Sequence, residues 1–245
     1  MPAPLPKTFE LIEILGPSLQ SGECLLNEIE LRRAFNEASK IPLIAERFFV
    51  QALIRLIQGN DDMAYDFFDR ALSIEPNNEQ IWINYVKSVH NKGYVHKTLS
   101  ILESAIKHPF PLVLAEAYEK GTTWGRVSMA SEAKKKLEMM GIFEKMGFPV
   151  CLHELYENFS SLGDESDDFQ GICRIISEVA EKHKVQVVGN RIEFRDLISF
   201  ISLINSSDDE LLSEMNSEVI DIIVSRGLVK NNCIGYFDAT GVVNG

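Results

Sequence analysis

The chain has 245 residues, 45% of them apolar, a mean hydropathy near zero and a formal net charge of −12 at pH 7. That length holds one large domain or two modest ones with ample core, and the composition is that of a soluble globular protein rather than a disordered one. An acidic total argues against a nucleic-acid partner, which needs a basic surface, and no apolar run approaches membrane-spanning length.

The charge is uneven. Residues 146–245 carry 7 Lys+Arg against 17 Asp+Glu, whereas residues 1–145 carry 17 against 19. An acidic second half serves solubility or a basic protein partner. The opening Met1-Pro2-Ala3-Pro4-Leu5-Pro6 lacks the basic-then-apolar order of a secretory signal, so a cytoplasmic location is expected. Cys24, Cys151, Cys173 and Cys233 are scattered, with no C-x-x-C pair and no His at zinc-ligand spacing. They read as reduced thiols, mostly buried.

In chain order, residues 7–44 predict two helices. Phe9, Leu11, Ile12, Ile14 and Leu15 form a first apolar cluster, which Gly16-Pro17 is expected to break. Leu25, Leu26, Ile29, Leu31, Ala34, Phe35 and Ala38 follow as a helical stripe. This segment reads as a capping helix pair or a degenerate repeat.

Residues 45–111 hold two copies of one pattern: helix, Gly-containing turn, helix, Pro. Gly59 and Gly93 are 34 residues apart, as are Ala71 and Ala105, Phe68 and Leu102, and Phe48 and Trp82. Phe48, Ala52, Leu53 and Leu56, then Ala64, Phe67, Phe68, Ala71 and Leu72, keep helical periodicity. Small residues let antiparallel helices approach, and Phe48 and Phe68 fill the space beside them. Gly59-Asn60-Asp61-Asp62 supplies a turn and a cap. A third copy is placed at 112–141, around Gly125 and Ala130.

On Phe48, Ala52, Ala64, Phe68, Ala71 and Pro76, and on Trp82 and Ala105, this stretch resembles the tetratricopeptide repeat. It departs from that pattern at Gln51, Arg55, Val86 and Thr98. The resemblance implies a mostly α fold: an antiparallel helix-pair solenoid with a right-handed superhelix, binding a protein or peptide on its concave face. Phe49, Leu53, Leu56 and Ile57 are apolar where that face is usually wet, and cover by residues 7–44 is expected. In the second copy Asn84, Lys87 and Asn91 lie at i, i+3 and i+7, with His90 beside them. These four are the candidate partner-binding residues.

Farther on, Glu119-Lys120-Gly121-Thr122-Thr123 is expected to interrupt a helix. Ala130, Ala133, Leu137 and Met140 line a later one, with Lys134, Lys135 and Lys136 outward. Gly147-Phe148-Pro149 marks an expected boundary, dividing the chain into capping helices at 1–44, repeats at 45–146 and an acidic module at 147–245. That module is expected to be a small α+β unit. Its elements are helices at 152–159 and 169–182, a β-hairpin at 185–194 turning at Gly189-Asn190, and helices at 197–204 and 210–225, the last opened by Ser207-Asp208-Asp209 and closed by Gly227. Strands are expected at 228–229 and 234–237. Trp82 and Trp124 read as packing anchors.

Reaction chemistry finds little support. Phosphate loops, nucleophile elbows and H-E-x-x-H motifs do not occur, and His90, His96, His108, His153 and His183 are dispersed. Asp164, Glu165, Asp167 and Asp168 lack calcium-loop spacing and read as an acidic cap. No catalysis and no cofactor is therefore expected. The expected function is that of a scaffold, adaptor or chaperone-like binding protein. The alternative is an antitoxin- or immunity-like protein whose acidic module masks a basic partner.

Overall fold

Nine of the fourteen residues of the helix Ile44–Ile57 are buried, Phe49, Leu53, Ile54 and Leu56 among them. A helix with that many buried residues needs neighbours on several sides, and it is the hub of its surroundings. The computed structural model describes residues 7–162, 166–195, 197–206, 208–228 and 232–240. These residues are mostly α-helical, with a small three-stranded sheet toward the C-terminus. The chain divides into two compact units, Met1–Lys92 and Gly93–Gly245.

The first unit contains α1 (Lys7–Ser21), α2 (Glu28–Ala38), α3 (Ile44–Ile57), α4 (Asp61–Ile74) and α5 (Glu79–Asn91). The other four all pack on α3. Ala52 of α3 and Ala64 and Ala71 of α4 are fully buried, which lets the two helices lie close. Phe68 fills the remaining space, its ring 6.3 Å from Phe49 and stacked at 4.1 Å on Tyr85 of α5. Of the two expected anchors, Phe48 is only half-buried and stacks on Phe67 at 5.8 Å. Trp82 is also half-buried, and its Nε1 donates to the Pro76 carbonyl at 3.0 Å.

Two expectations for residues 7–44 need correction. Gly16-Pro17 does not break α1, which runs through both. Leu11 and Leu15 are buried before the proline, and Ser18 is buried after it. Ser18 Oγ also accepts the Leu25 N–H at 3.0 Å, so tertiary contacts on both sides outweigh the helix bond that proline removes. The second helix starts later than its apolar stripe. Asn27 Oδ1 accepts from the amides of Ile29 and Glu30, and Glu30 Oε2 accepts from the Asn27 amide. This capping box leaves Leu25 and Ile29 exposed and buries Leu31, Ala34 and Ala38.

The second unit holds α6 (Val95–Ala105), α7 (Pro111–Thr123), α8 (Val127–Met139), a 3-10 turn at Phe143–Met146, α9 (Val150–Ser160), α10 (Ser166–Lys182) and α11 (Asp209–Ser225). Its strands are β1 (Val187–Phe194), β2 (Ile198–Ile204) and β3 (Cys233–Ala239). Contrary to expectation, residues 119–123 do not interrupt a helix but form the last turn of α7. Gly121 is there because α8 is close: a Cβ on it would sit 3.1 Å from the Ala130 nitrogen.

One backbone turn occurs three times among the described residues. Gly59, Gly93 and Gly125 have φ of +74°, +84° and +61°. The residues that follow, Asn60, Tyr94 and Arg126, have φ/ψ of −91°/66°, −82°/73° and −87°/65°. In the first turn the Asn60 amide reaches back to the Arg55 carbonyl at 2.9 Å, and in the third the Arg126 amide reaches the Gly121 carbonyl at 2.6 Å. That is the helix-terminating bond of a left-handed glycine.

Tyr118 of α7 is fully buried among Phe143, Phe148 and Tyr156, with ring centroids 4.8–5.5 Å away. Its hydroxyl is 2.9 Å from His153 Nδ1. The Gly147-Phe148-Pro149 stretch thus packs against α7 inside the second unit. Burial pushes the Tyr118 phenol up to about 12.

The β region differs from expectation in two places. Residues 187–194 are one strand, not a hairpin, and residues 198–204 are a strand, not a helix. β1 pairs antiparallel with β2, and β2 pairs parallel with β3. Gly189 does not turn the chain. The register slips between Val187 and Gly189, a bulge that a glycine accommodates. β2 reads Ile-Ser-Phe-Ile-Ser-Leu-Ile and is central and covered on both faces, so it lacks the alternation of a half-wet strand. Its serines three apart imitate a helical period. Ser202 in fact donates to Asn190 Oδ1 across the pair at 2.7 Å.

α10 lies against this sheet. Gly235 of β3 makes room for it, since a Cβ there would fall 2.4 Å from Ile172 Cγ2. Asn216 of α11 grips β3 at both polar atoms of Phe237, accepting its N–H at 2.7 Å and donating to its carbonyl at 3.0 Å. Asp208 caps α11 and Gly227, with φ +70°, follows its end. Leu228 lies in a turn. The expectations placed on Met1–Pro6, Asp164, Glu165, Ser207 and Val229 fall outside the described residues.

Phe68→Ala is expected to cost about 3–5 kcal/mol, and Gly235→Ala about 1–3 kcal/mol through overpacking, both read from urea denaturation. Tyr118 has its folded pKa raised above the unfolded value. The stability it contributes is therefore complete below pH 10 and is lost as pH rises toward 12. Wild type should lose up to about 1.4 kcal/mol per pH unit more than Tyr118→Phe in that window.

Candidate partner-binding face

The four candidate residues lie on α5. Its buried side carries Ile81, Ile83, Tyr85, Val86 and Val89, and burial pushes the Tyr85 phenol well up. Asn78 opens the helix by accepting the amides of Gln80 and Ile81. Along the stripe, Asn84 is half-buried and its Nδ2 donates to the Gln80 carbonyl at 2.7 Å. Lys87 is exposed, His90 half-buried and Asn91 exposed.

The C-terminal end of the stripe is occupied by the first unit itself. Asn91 Nδ2 donates to the Leu19 carbonyl of α1 at 2.9 Å. Gly22, with φ +72°, passes so near that a Cβ would lie 2.0 Å from the Asn91 carbonyl oxygen. The α1–α2 connection therefore clasps the end of α5. In the first copy Phe49, Leu53, Leu56 and Ile57 are all buried, on a helix against which α1, α2 and α4 pack, and Phe49 meets Phe68 of α4. Thr8 Oγ1 donates to Glu46 Oε2 at 2.6 Å and Gln51 Nε2 to Ser39 Oγ at 3.1 Å. The apolar character of those four residues accords with their burial.

The other residues singled out from sequence are spread through the fold. Lys134 and Lys136 do not point outward. Lys134 stands over the rings of Phe143 and Tyr156 and pairs with Glu138 at 3.2 Å. Lys136 pairs with Glu132 at 2.7 Å and donates to the Ile106 carbonyl. The two rings come from the 3-10 turn and α9 and the carbonyl from the end of α6, which a helix read alone does not reveal, whereas the two glutamates lie one turn away on α8 itself. Lys135 is exposed. Cys173 and Cys233 are buried, but Cys24 and Cys151 are exposed, so "mostly buried" holds for only half of the thiols. Trp124 is buried, with its ring centroid 6.2 Å from Phe200.

Asp167 and Asp168 sit in the first turn of α10, where carboxylates favour the helix dipole. Among the described residues, no group of three His, Cys, Asp or Glu is placed to hold a metal ion. No helix among them is long and apolar enough to cross a membrane. No protein-family model, curated protein or solved structure matches the chain.

Gly22→Ala should lower stability by about 2 kcal/mol or more, because it adds left-handed strain to a collision with the α5 backbone. Asn91→Ala removes one exposed hydrogen bond and should cost about 1 kcal/mol or less. Thermal melts of the two variants check the order.

Proposed function

We propose that the helix pairs are tetratricopeptide-like repeats and that the protein is a non-catalytic interaction scaffold, an adaptor or chaperone-like binder of a protein or peptide. One observation carries this reading. The same left-handed glycine turn joins α3 to α4, α5 to α6 and α7 to α8, with the glycines 34 and then 32 residues apart. A turn that recurs between consecutive helices at such a spacing is a mark of repeat proteins, whose business is binding. Asn84, Lys87 and His90 are the reading side chains on α5, and Asn91 orients the clasp at its end.

A second reading has its own support. Glu210, Glu214, Ser217 and Asp221 are exposed along one side of α11, at i, i+4, i+7 and i+11. Such an acidic stripe suits a basic protein partner, as an antitoxin- or immunity-like protein would require.

Affinity capture from cells of the native host, using the full chain, separates the two. On the first reading, Asn84→Ala/Lys87→Ala, with an unchanged circular dichroism spectrum, should recover its partner at least about tenfold less well than wild type. Recovery by wild type should also persist at high salt. Equal recovery by the variant overturns the α5 assignment. Capture that collapses with salt and is lost in Glu210→Gln/Glu214→Gln transfers the function to α11.

A further inference from the structure

Buried polar atoms in folded proteins almost always have a partner, and those that do not call for an explanation. Among the described residues, Arg55 Nε is one such atom, but its side chain already bonds Gln58 and lies 4.3 Å over the Phe35 ring. Thr122 Oγ1 and Arg126 Nε and Nη1 are three more, and all fall within the five residues that run from Thr122, at the end of α7, through the turn to Arg126, the N-cap of α8. Thr122 is fully buried and Arg126 is 4% exposed.

We propose that this turn is a binding site for one small oxyanion, a carboxylate or a phosphate. The anion is held by the Arg126 guanidinium, with the Thr122 hydroxyl donating to it and Arg174 adding charge. The argument rests on charge as well as on hydrogen bonds. A buried guanidinium with no counterion is costly. Burial and the like charge of Arg174 both work against its protonated form. The carboxylates of Glu103 and Glu178 act on it from farther off. Neither makes an ion pair with it among the described residues, and Glu178 is committed to Arg226 at 2.7 Å. A trapped water would supply an acceptor but no negative charge. An oxyanion supplies both, and the planar guanidinium is the group best matched to carboxylate and phosphate oxygens.

The site is built rather than incidental. Gly125 is locked against α10, since a Cβ on it would lie 2.4 Å from Cys173 Sγ and 2.9 Å from the Phe169 ring. Arg174 is exposed and follows Cys173 directly. The turn therefore cannot swing away from the helix that brings the second arginine. Arg126 is also the N-cap residue of α8, a thirteen-residue helix whose positive end favours an anion. The Ser128 amide and hydroxyl are already given to Gln170 Oε1, at 3.2 and 3.1 Å, so the helix contributes its field rather than that donor. This site belongs to the second unit and does not rest on the scaffold reading.

The test uses the full chain in a Trp82→Phe background, so that fluorescence reports buried Trp124, which neighbours the site. Sodium phosphate and sodium acetate are titrated separately at fixed ionic strength, with sodium chloride as balance. A saturable fluorescence change is expected with at least one of them. Tm should rise by about 3–6 °C once the anion exceeds its Kd roughly tenfold. Arg126→Met should abolish both responses while melting no lower than the parent in chloride alone. Arg174→Gln, at an exposed position, should fold normally and weaken binding at least threefold, which keeps the test decisive even if Arg126→Met does not fold. A response to acetate alone assigns the site to a carboxylate, and a response to phosphate assigns it to a phosphate group. No saturable response to either anion, or an equal response in Arg174→Gln, overturns the proposal.

Discussion

A helix with nine of its fourteen residues buried can exist only if other elements enclose most of it, and in the first unit α1, α2, α4 and α5 stand in that relation to α3. Each large apolar side chain of α3 contributes about 1.5–3 kcal/mol by leaving water, and those contributions require neighbours on all sides at once. Close packing with α4 is set by Ala52, Ala64 and Ala71. The other boundaries follow. Phe68 carries the contact on to Tyr85, and Thr8 and Gln51 tie α1 and α2 to polar atoms at the margins. The same enclosure explains why Phe49, one residue from the expected anchor Phe48, takes the core position: α3 has apolar residues to spare, and the ring facing the most neighbours wins.

Helices were legible in the sequence wherever a cap or stop was local. Gly59, Gly93, Gly125 and Gly227 mark their turns because only a residue without a Cβ enters left-handed backbone cheaply, and Asp208 caps through its own side chain. What escaped was set by partners distant in sequence. Pro17 is tolerated because of contacts on both sides of it, and Gly121 belongs inside a helix because Ala130 lies against it. Residues 198–204 form a strand because the sheet surrounds them. In isolation their Ile, Phe and Leu fit a buried strand or a buried helix equally, and Ser199 and Ser202 tip the pattern toward the wrong one.

The candidate α5 stripe was legible as periodicity and spacing, but its environment was not. The contact between Asn91 and the Leu19 carbonyl spans 72 residues, and nothing near Asn91 announces it. The α7–α8 turn carried less signal still. An arginine after a glycine is unremarkable in sequence, and only burial that leaves two of its nitrogens without an acceptor distinguishes Arg126 from the other described arginines. Both sites illustrate one asymmetry: a residue's type is local information, whereas its unmet chemical need is a property of everything packed around it.

Asn216 has a bearing on how the protein behaves beside copies of itself. Its side-chain amide presents to Phe237 the donor and acceptor that the peptide group of another strand would present, so a side chain acts as a terminator of the sheet. Lateral growth from β3 would first have to displace that mimic. The opposite margin, β1, carries Arg191 and Glu193, charges that disfavour featureless stacking. A helix standing over one border thus makes a short mixed sheet a closed end rather than a template.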